Sequence, residues 1–157
     1  MQIEGDWQMG FQEAIRTCLR EKYVTFSGRA SRSEYWFFVL FSYLLILGVG
    51  ALFFLFGGMG AIENGSLNAA HYILVIAYVI ITLGLFLPSI SVLVRRFHDR
   101  NMSGWWVLAL MVAGAIPFVG ILASIGLLVL LCLKGTDGEN RFGDDPLNPS
   151  TGADVFS

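Results

Sequence analysis

The sequence predicts an all-helical, polytopic membrane protein, and three observations carry that prediction. Of its 157 residues, 55% are hydrophobic and 14% are charged, a balance too apolar for an ordinary soluble fold. Three long runs, at about 35–56, 69–94 and 105–133, contain no Asp, Glu, Lys or Arg. The cations gather around these runs: Arg16, Arg20, Lys22, Arg29 and Arg32 precede the first, Arg95, Arg96 and Arg100 divide the second from the third, and none lies between the first and second.

Residues Asp6 to Lys22 place Trp7, Phe11, Ala14, Ile15, Cys18 and Leu19 at three-and-four spacing, with Gln12, Glu13, Arg16, Thr17 and Arg20 elsewhere. That periodicity predicts an amphipathic helix, lying in the headgroup layer or packed on the ends of the spanning helices. Mixed polar residues precede the first apolar run, which is long enough to span, so an uncleaved anchor is expected rather than a signal peptide. Ser31 followed by Glu34 has the spacing of a capping box, in which the hydroxyl accepts from the Glu34 amide and the carboxylate returns to the Ser31 amide. The first span then starts near Arg32 and sets Tyr35 and Trp36 at the membrane interface.

The stretch 57–68, rich in glycine and turn residues, is expected to be a short flexible loop on the side opposite the arginines. His71 stands at the start of the second span with solvent as its expected partner, and Pro88 near its far end is expected to kink it. Arg95 to Trp106 reads as a short aqueous loop. The run from Trp105 to Leu133 would be about 43 Å long as one helix, more than a hydrocarbon core of about 30 Å needs. A break at Pro117 making a shallow hairpin is favoured, and it returns the acidic tail to the basic side. One tilted helix would instead place that tail outside. The plan is thus an amphipathic segment at 1–25, a helical membrane domain at 26–146 and a disordered tail at 147–157.

Several chemistries find little support. The spans hold no ionisable pair suited to a proton relay. Cys18 and Cys132 show neither metal-ligand nor disulfide spacing. Asp137, Glu139, Asp144 and Asp145 resemble a calcium loop in composition only, because Arg141 falls where an oxygen ligand is needed. His98 and Asp99 are adjacent and so point apart, with no nucleophile nearby to complete a catalytic set. The cations make no continuous face for nucleic acid. No cofactor, metal or catalytic residue is expected.

Three separated stretches, FSGRASRSEYW from Phe26 to Trp36, RRFHDRNMSGWW from Arg95 to Trp106 and GTDGENRFGDDP from Gly135 to Pro146, together resemble a known bacterial family. It is the family of domain of unknown function number 805, the YhaH-type inner-membrane proteins, and the likeness runs from about Tyr23 to Pro146. The resemblance implies a small multi-pass protein of the bacterial cytoplasmic membrane whose biochemical activity is not established, and carries over no catalytic residue; the basic segments place the N-terminus on the cytoplasmic side. Phe142 stands where the family frequently has tyrosine.

The candidate site is therefore a polar cluster of Arg29, Arg32, Glu34, Arg95, Arg96, His98, Asp99, Asn140 and Arg141 on the cytoplasmic face. The expected function is a non-enzymatic assembly or interaction module in the bilayer, partnered by itself or another membrane protein, with anionic headgroups as candidate ligands. The alternatives are a small-solute channel or transporter and an enzyme acting on lipid headgroups.

Overall fold

A computed structural model describes residues 9–148, which fold into helices joined by turns and two isolated bridges. Of the segments expected at the two termini, residues 1–8, Trp7 among them, and 149–157 lie outside the described residues. Helix α1 (Phe11–Arg16) runs into a π-helical turn (Thr17–Glu21), closed by the Lys22 amide donating to the Thr17 carbonyl at 2.7 Å. The wider turn changes the face that the periodicity predicted. Thr17, expected on the polar side, is buried with Ala14 and Cys18 where α1 and the turn meet α2 and α4, while Phe11 is exposed and meets Phe37 edge-on at 5.8 Å.

Helix α2 (Arg32–Leu55) has Ser31 at its N-cap, where the hydroxyl accepts from the Glu34 amide at 3.1 Å. Only half of the expected capping box forms, because the Glu34 carboxylate turns inward to Arg95. The loop expected at 57–68 contains a short helix, α3 (Gly58–Glu63), entered through Gly57 at a φ of 74°. Its first residue, Gly58, lies under the Phe53 ring, where a side chain would have no room.

Helix α4 (Ala69–Asp99) is longer than the predicted span and absorbs the first half of the expected aqueous loop. It continues through Arg95 to Asp99 because those side chains find buried partners; Arg100–Gly104 alone makes the turn to α5. A capping box does occur, at the start of α4: Asn68 Oδ1 accepts from the Ala70 and His71 amides, and His71 Nδ1 accepts from the Asn68 amide at 3.2 Å. With Nδ1 accepting, Nε2 donates to the Phe56 carbonyl at 3.2 Å. His71 is thus buried between the end of α2 and the start of α4, not solvated at an interface.

Helices α2 and α4 pack antiparallel, since His71 meets the end of α2 and Arg95 meets its beginning. At about 1.5 Å per residue they are roughly 36 and 46 Å long, enough to cross a hydrocarbon core of about 30 Å. Proline at position 88 withholds the amide that would bond the Gly84 carbonyl. The Tyr23 hydroxyl donates to that carbonyl at 2.5 Å, pinning the segment after α1 to the side of α4. Ser91 strengthens the seam by donating to the Lys22 and Thr25 carbonyls at 3.0 and 2.6 Å.

The last apolar run is two helices, α5 (Trp105–Gly114) and α6 (Val119–Cys132), packed as a hairpin around Pro117. At roughly 15 and 21 Å each is too short to span alone. Gly120 lets the arms close, for a Cβ there would stand 2.7 Å from the Gly114 carbonyl oxygen.

Candidate functional site

The start of α2, the end of α4, the end of α6 and the loop after it meet at one end of the molecule, and the buried charges of the described residues collect there. Arg29 lies in the turn before α2 with its side chain 1% exposed. Its Nε and Nη2 donate to Asp99 Oδ1 at 3.0 and 2.9 Å. The same guanidinium donates to the Thr136 and Gly138 carbonyls, both at 2.5 Å, and stands 4.0 Å from Asp145. One side chain thereby joins the first, second and third sequence motifs.

Asp99 also takes an ion pair from Arg96, one helical turn back on α4, so the carboxylate sits between two guanidiniums. Arg96 is fully buried and spends its remaining donors on the end of α6. Its Nε and Nη2 reach the Leu131 carbonyl at 3.2 and 3.1 Å, and Nη2 also reaches the Leu133 carbonyl. The final carbonyls of a helix have no partner of their own and carry its negative dipole end, and a cation satisfies both needs.

The end of α4 is treated reciprocally by the third motif. The Asp99 carbonyl accepts from the Thr136 amide and hydroxyl at 2.9 and 3.0 Å, and Asn140 Nδ2 donates to the His98 carbonyl at 3.0 Å. Arg141 reaches the Asn101 carbonyl at 2.9 Å and lies over the Phe142 ring. Phe142 stacks flat on His98, with ring centres 3.9 Å apart, while His98 Nδ1 lies 3.1 Å from the Gly28 carbonyl. The loop holds this shape through paired turns: Asn140 Oδ1 accepts from the Phe142 amide and Asp145 Oδ1 from the Leu147 amide, both at 2.9 Å. The second turn extends through Asn148, into the stretch expected to be disordered from residue 147.

A second buried pair lies deeper. Arg95 bonds Glu34, and the Cys18 thiol fits beside both, 3.7 Å from the Glu34 carboxylate and 3.8 Å from Arg95 Nη2. Burial, followed by the neighbouring Glu34 charge, pushes the thiol pKa up to about 12, so it stays protonated and donates. This cysteine is a packing residue without the thiolate that reactivity requires.

Of the nine residues predicted for the cluster, eight take part in this arrangement. Arg32 does not: it is exposed and makes no ion pair among the described residues. Sequence reasoning missed Thr136, Gly135, Phe142 and Cys18. Gly135 backs directly onto the Asp99 carboxylate, leaving no space for a side chain. Of the two adjacent acids in the third motif, Asp145 faces Arg29 and Asp144 is exposed. His98 and Asp99 point to different neighbours, as adjacency on a helix requires, and the described residues hold no His, Cys, Asp or Glu group fit for a metal.

Residues 23–144 match the family described as protein of unknown function (DUF805). The chain belongs to the DUF805 family. The match begins at Tyr23, after α1, and covers the first two motifs of the cluster and the third as far as Asp144. Inner membrane protein YhaH of Escherichia coli (strain K12) is 40% identical over 126 residues, 80% of this chain and 90% of the relative. Inner membrane protein YhaI of the same strain is 37% identical over 126 residues, 80% of this chain and 89% of the relative. No solved structure matches. DUF805 membership, the relatives' names and the two long apolar helices make this an all-helical member of a family of small inner-membrane proteins.

Proposed function

We propose that the protein is a non-enzymatic, multi-pass module of the inner membrane whose charged end is a closed latch, and that it assembles through its apolar helices with itself or another membrane protein. Two features support the placement. All ten Lys and Arg residues of the chain lie on segments at the charged end, whereas the connection at 56–68 carries only Glu63. Cations are retained on the cytoplasmic side, which puts the N-terminal segment, the α4–α5 turn and the loop after α6 inside. From Ala69 to Pro88, α4 covers about 30 Å, the thickness of the core, and its last turns project into the head.

The observation that carries the latch is the chain from the Thr136 and Gly138 carbonyls through Arg29 and Asp99 to Arg96 and the end of α6. Its buried guanidinium donors go to carboxylates and to backbone carbonyls of the α6 end and the loop after it, which closes the α5–α6 hairpin and that loop onto the α2–α4 pair. Hydrogen exchange tests this: in Asp99→Ala the amides of 134–145 exchange faster than in the parent while those of α2 near Phe38 do not. Equal exchange of the loop in both proteins removes the latch.

A further inference from the structure

An apolar groove of about 560 Å³ runs along the outside of the helix pair, lined by α2 and α4 with Leu128 of α6 at its edge. On α2 it is lined by Tyr35, Val39, Ser42 and Ile46, a single stripe at three-and-four spacing that extends about 16 Å. Its two serine hydroxyls are already used, Ser42 donating to the Phe38 carbonyl and Ser89 to the Leu85 carbonyl, which leaves the ring hydroxyls of Tyr35 and Tyr43 and the Trp36 indole N–H as the polar groups of an otherwise apolar wall. The volume falls within the roughly 300–1,000 Å³ of small-molecule sites. The length is about half of a 30 Å hydrocarbon core, the depth of one leaflet.

The stripe continues one turn beyond Tyr35 and Trp36 to Arg32, the cluster arginine that the latch leaves out. Arg32 shares a polar crevice with Lys134 and with the carboxylates Asp99, Asp137 and Asp145, but those acids are engaged by Arg96, Lys134 and Arg29 and not by Arg32. A one-leaflet apolar groove therefore points, one helical turn on, to a cation that makes no ion pair among the described residues.

We propose that this groove holds one acyl chain of an anionic glycerophospholipid whose phosphate rests on Arg32, with Lys134 beside it. The site rests on the proposed placement of the charged end at a bilayer surface; α2 and α4 supply Arg32 and nearly all of the groove, and only Leu128 and Lys134 come to it through the latch. The residue left free of the internal network is the one in reach of a headgroup, and a cation near a membrane surface favours an anionic lipid about fivefold.

Native mass spectrometry of the full chain released from detergent, with phosphatidylglycerol or phosphatidylcholine of identical chains, tests it. The parent protein retains one lipid per chain and prefers phosphatidylglycerol about fivefold, whereas Arg32→Ala binds both at the phosphatidylcholine level. Ser42→Trp, which fills the groove, retains neither; if it does not fold, Ser42→Leu gives the same comparison at smaller bulk. Equal binding of the two lipids by the parent, an undiminished preference in Arg32→Ala, or lipid retained by the filled groove overturns the proposal. So does a dimer that forms without lipid and is lost in the groove variants, which would assign the surface to a second copy. None of these outcomes alters exchange in 134–145, so failure of the lipid site is separable from failure of the latch.

Discussion

Replacing Asp99 with alanine strips two guanidiniums of their shared anion. Arg29 and Arg96 have side chains 1% and 0% exposed, so neither turns to water without opening the head. Breaking a buried pair by removing one partner costs about 3–5 kcal/mol, most of it from the charge left behind. For a chain of this size a kcal/mol corresponds to about 2–4 °C in melting temperature, so Asp99→Ala should melt roughly 6–20 °C below the parent in the same detergent. The exposed pair of Lys134 and Asp137, at 62% and 77% side-chain exposure, is the control. Asp137→Ala should stay within about 2 °C, because surface pairs contribute little. A double-mutant cycle sharpens the test: adding Arg29→Ala to Asp99→Ala should cost less than Arg29→Ala alone, since the orphaned cation is then removed. Asp99→Ala melting with the parent, or strictly additive costs, would refute the reasoning.

Other parts of the structure make their own predictions. Gly135→Ala pushes a methyl into the held Asp99 carboxylate and should cost about 1–3 kcal/mol, read by the same melt, whereas Gly126→Ala, in open space on α6, should not destabilise. Tyr23→Phe should cost about 1 kcal/mol in the parent and less in a Pro88→Ala background, where Gly84 regains a helical donor. Equal costs in both backgrounds would exclude the link between Tyr23 and the proline. With its pKa near 12 and no exposure, Cys18 should resist maleimide at pH 8 in the folded protein while exposed Cys132 reacts; prompt modification of Cys18 would contradict its burial.

How far the fold and cluster were legible depends on the range of each signal. The apolar runs and the Ser31 cap are local, and they appear where their spacing puts them. The fate of the Glu34 carboxylate was not local: the same residue that completes a capping box by spacing is 61 positions from Arg95, and the buried cation wins over an amide. Arg95 to Asp99 read as loop because charge follows an apolar run, yet they stay helical because partners from three segments enclose them. His71 looked solvated for the same reason, since nothing near it in sequence shows that the Phe56 carbonyl waits across the helix pair. Thr136 and Gly135 carry no charge or motif of their own. Only the packed loop shows why a hydroxyl and a missing side chain are needed against Asp99.

The central claim is that all the basic segments share one aqueous face, and cysteine accessibility in intact cells measures it most directly. In a background lacking Cys18 and Cys132, single cysteines at Gly65, Asn101 and Asn148 should divide: Gly65 labelled by an impermeant reagent from outside, Asn101 and Asn148 only after the membrane is opened. Labelling of Asn101 from outside, or of Asn101 and Asn148 from opposite sides, would contradict it.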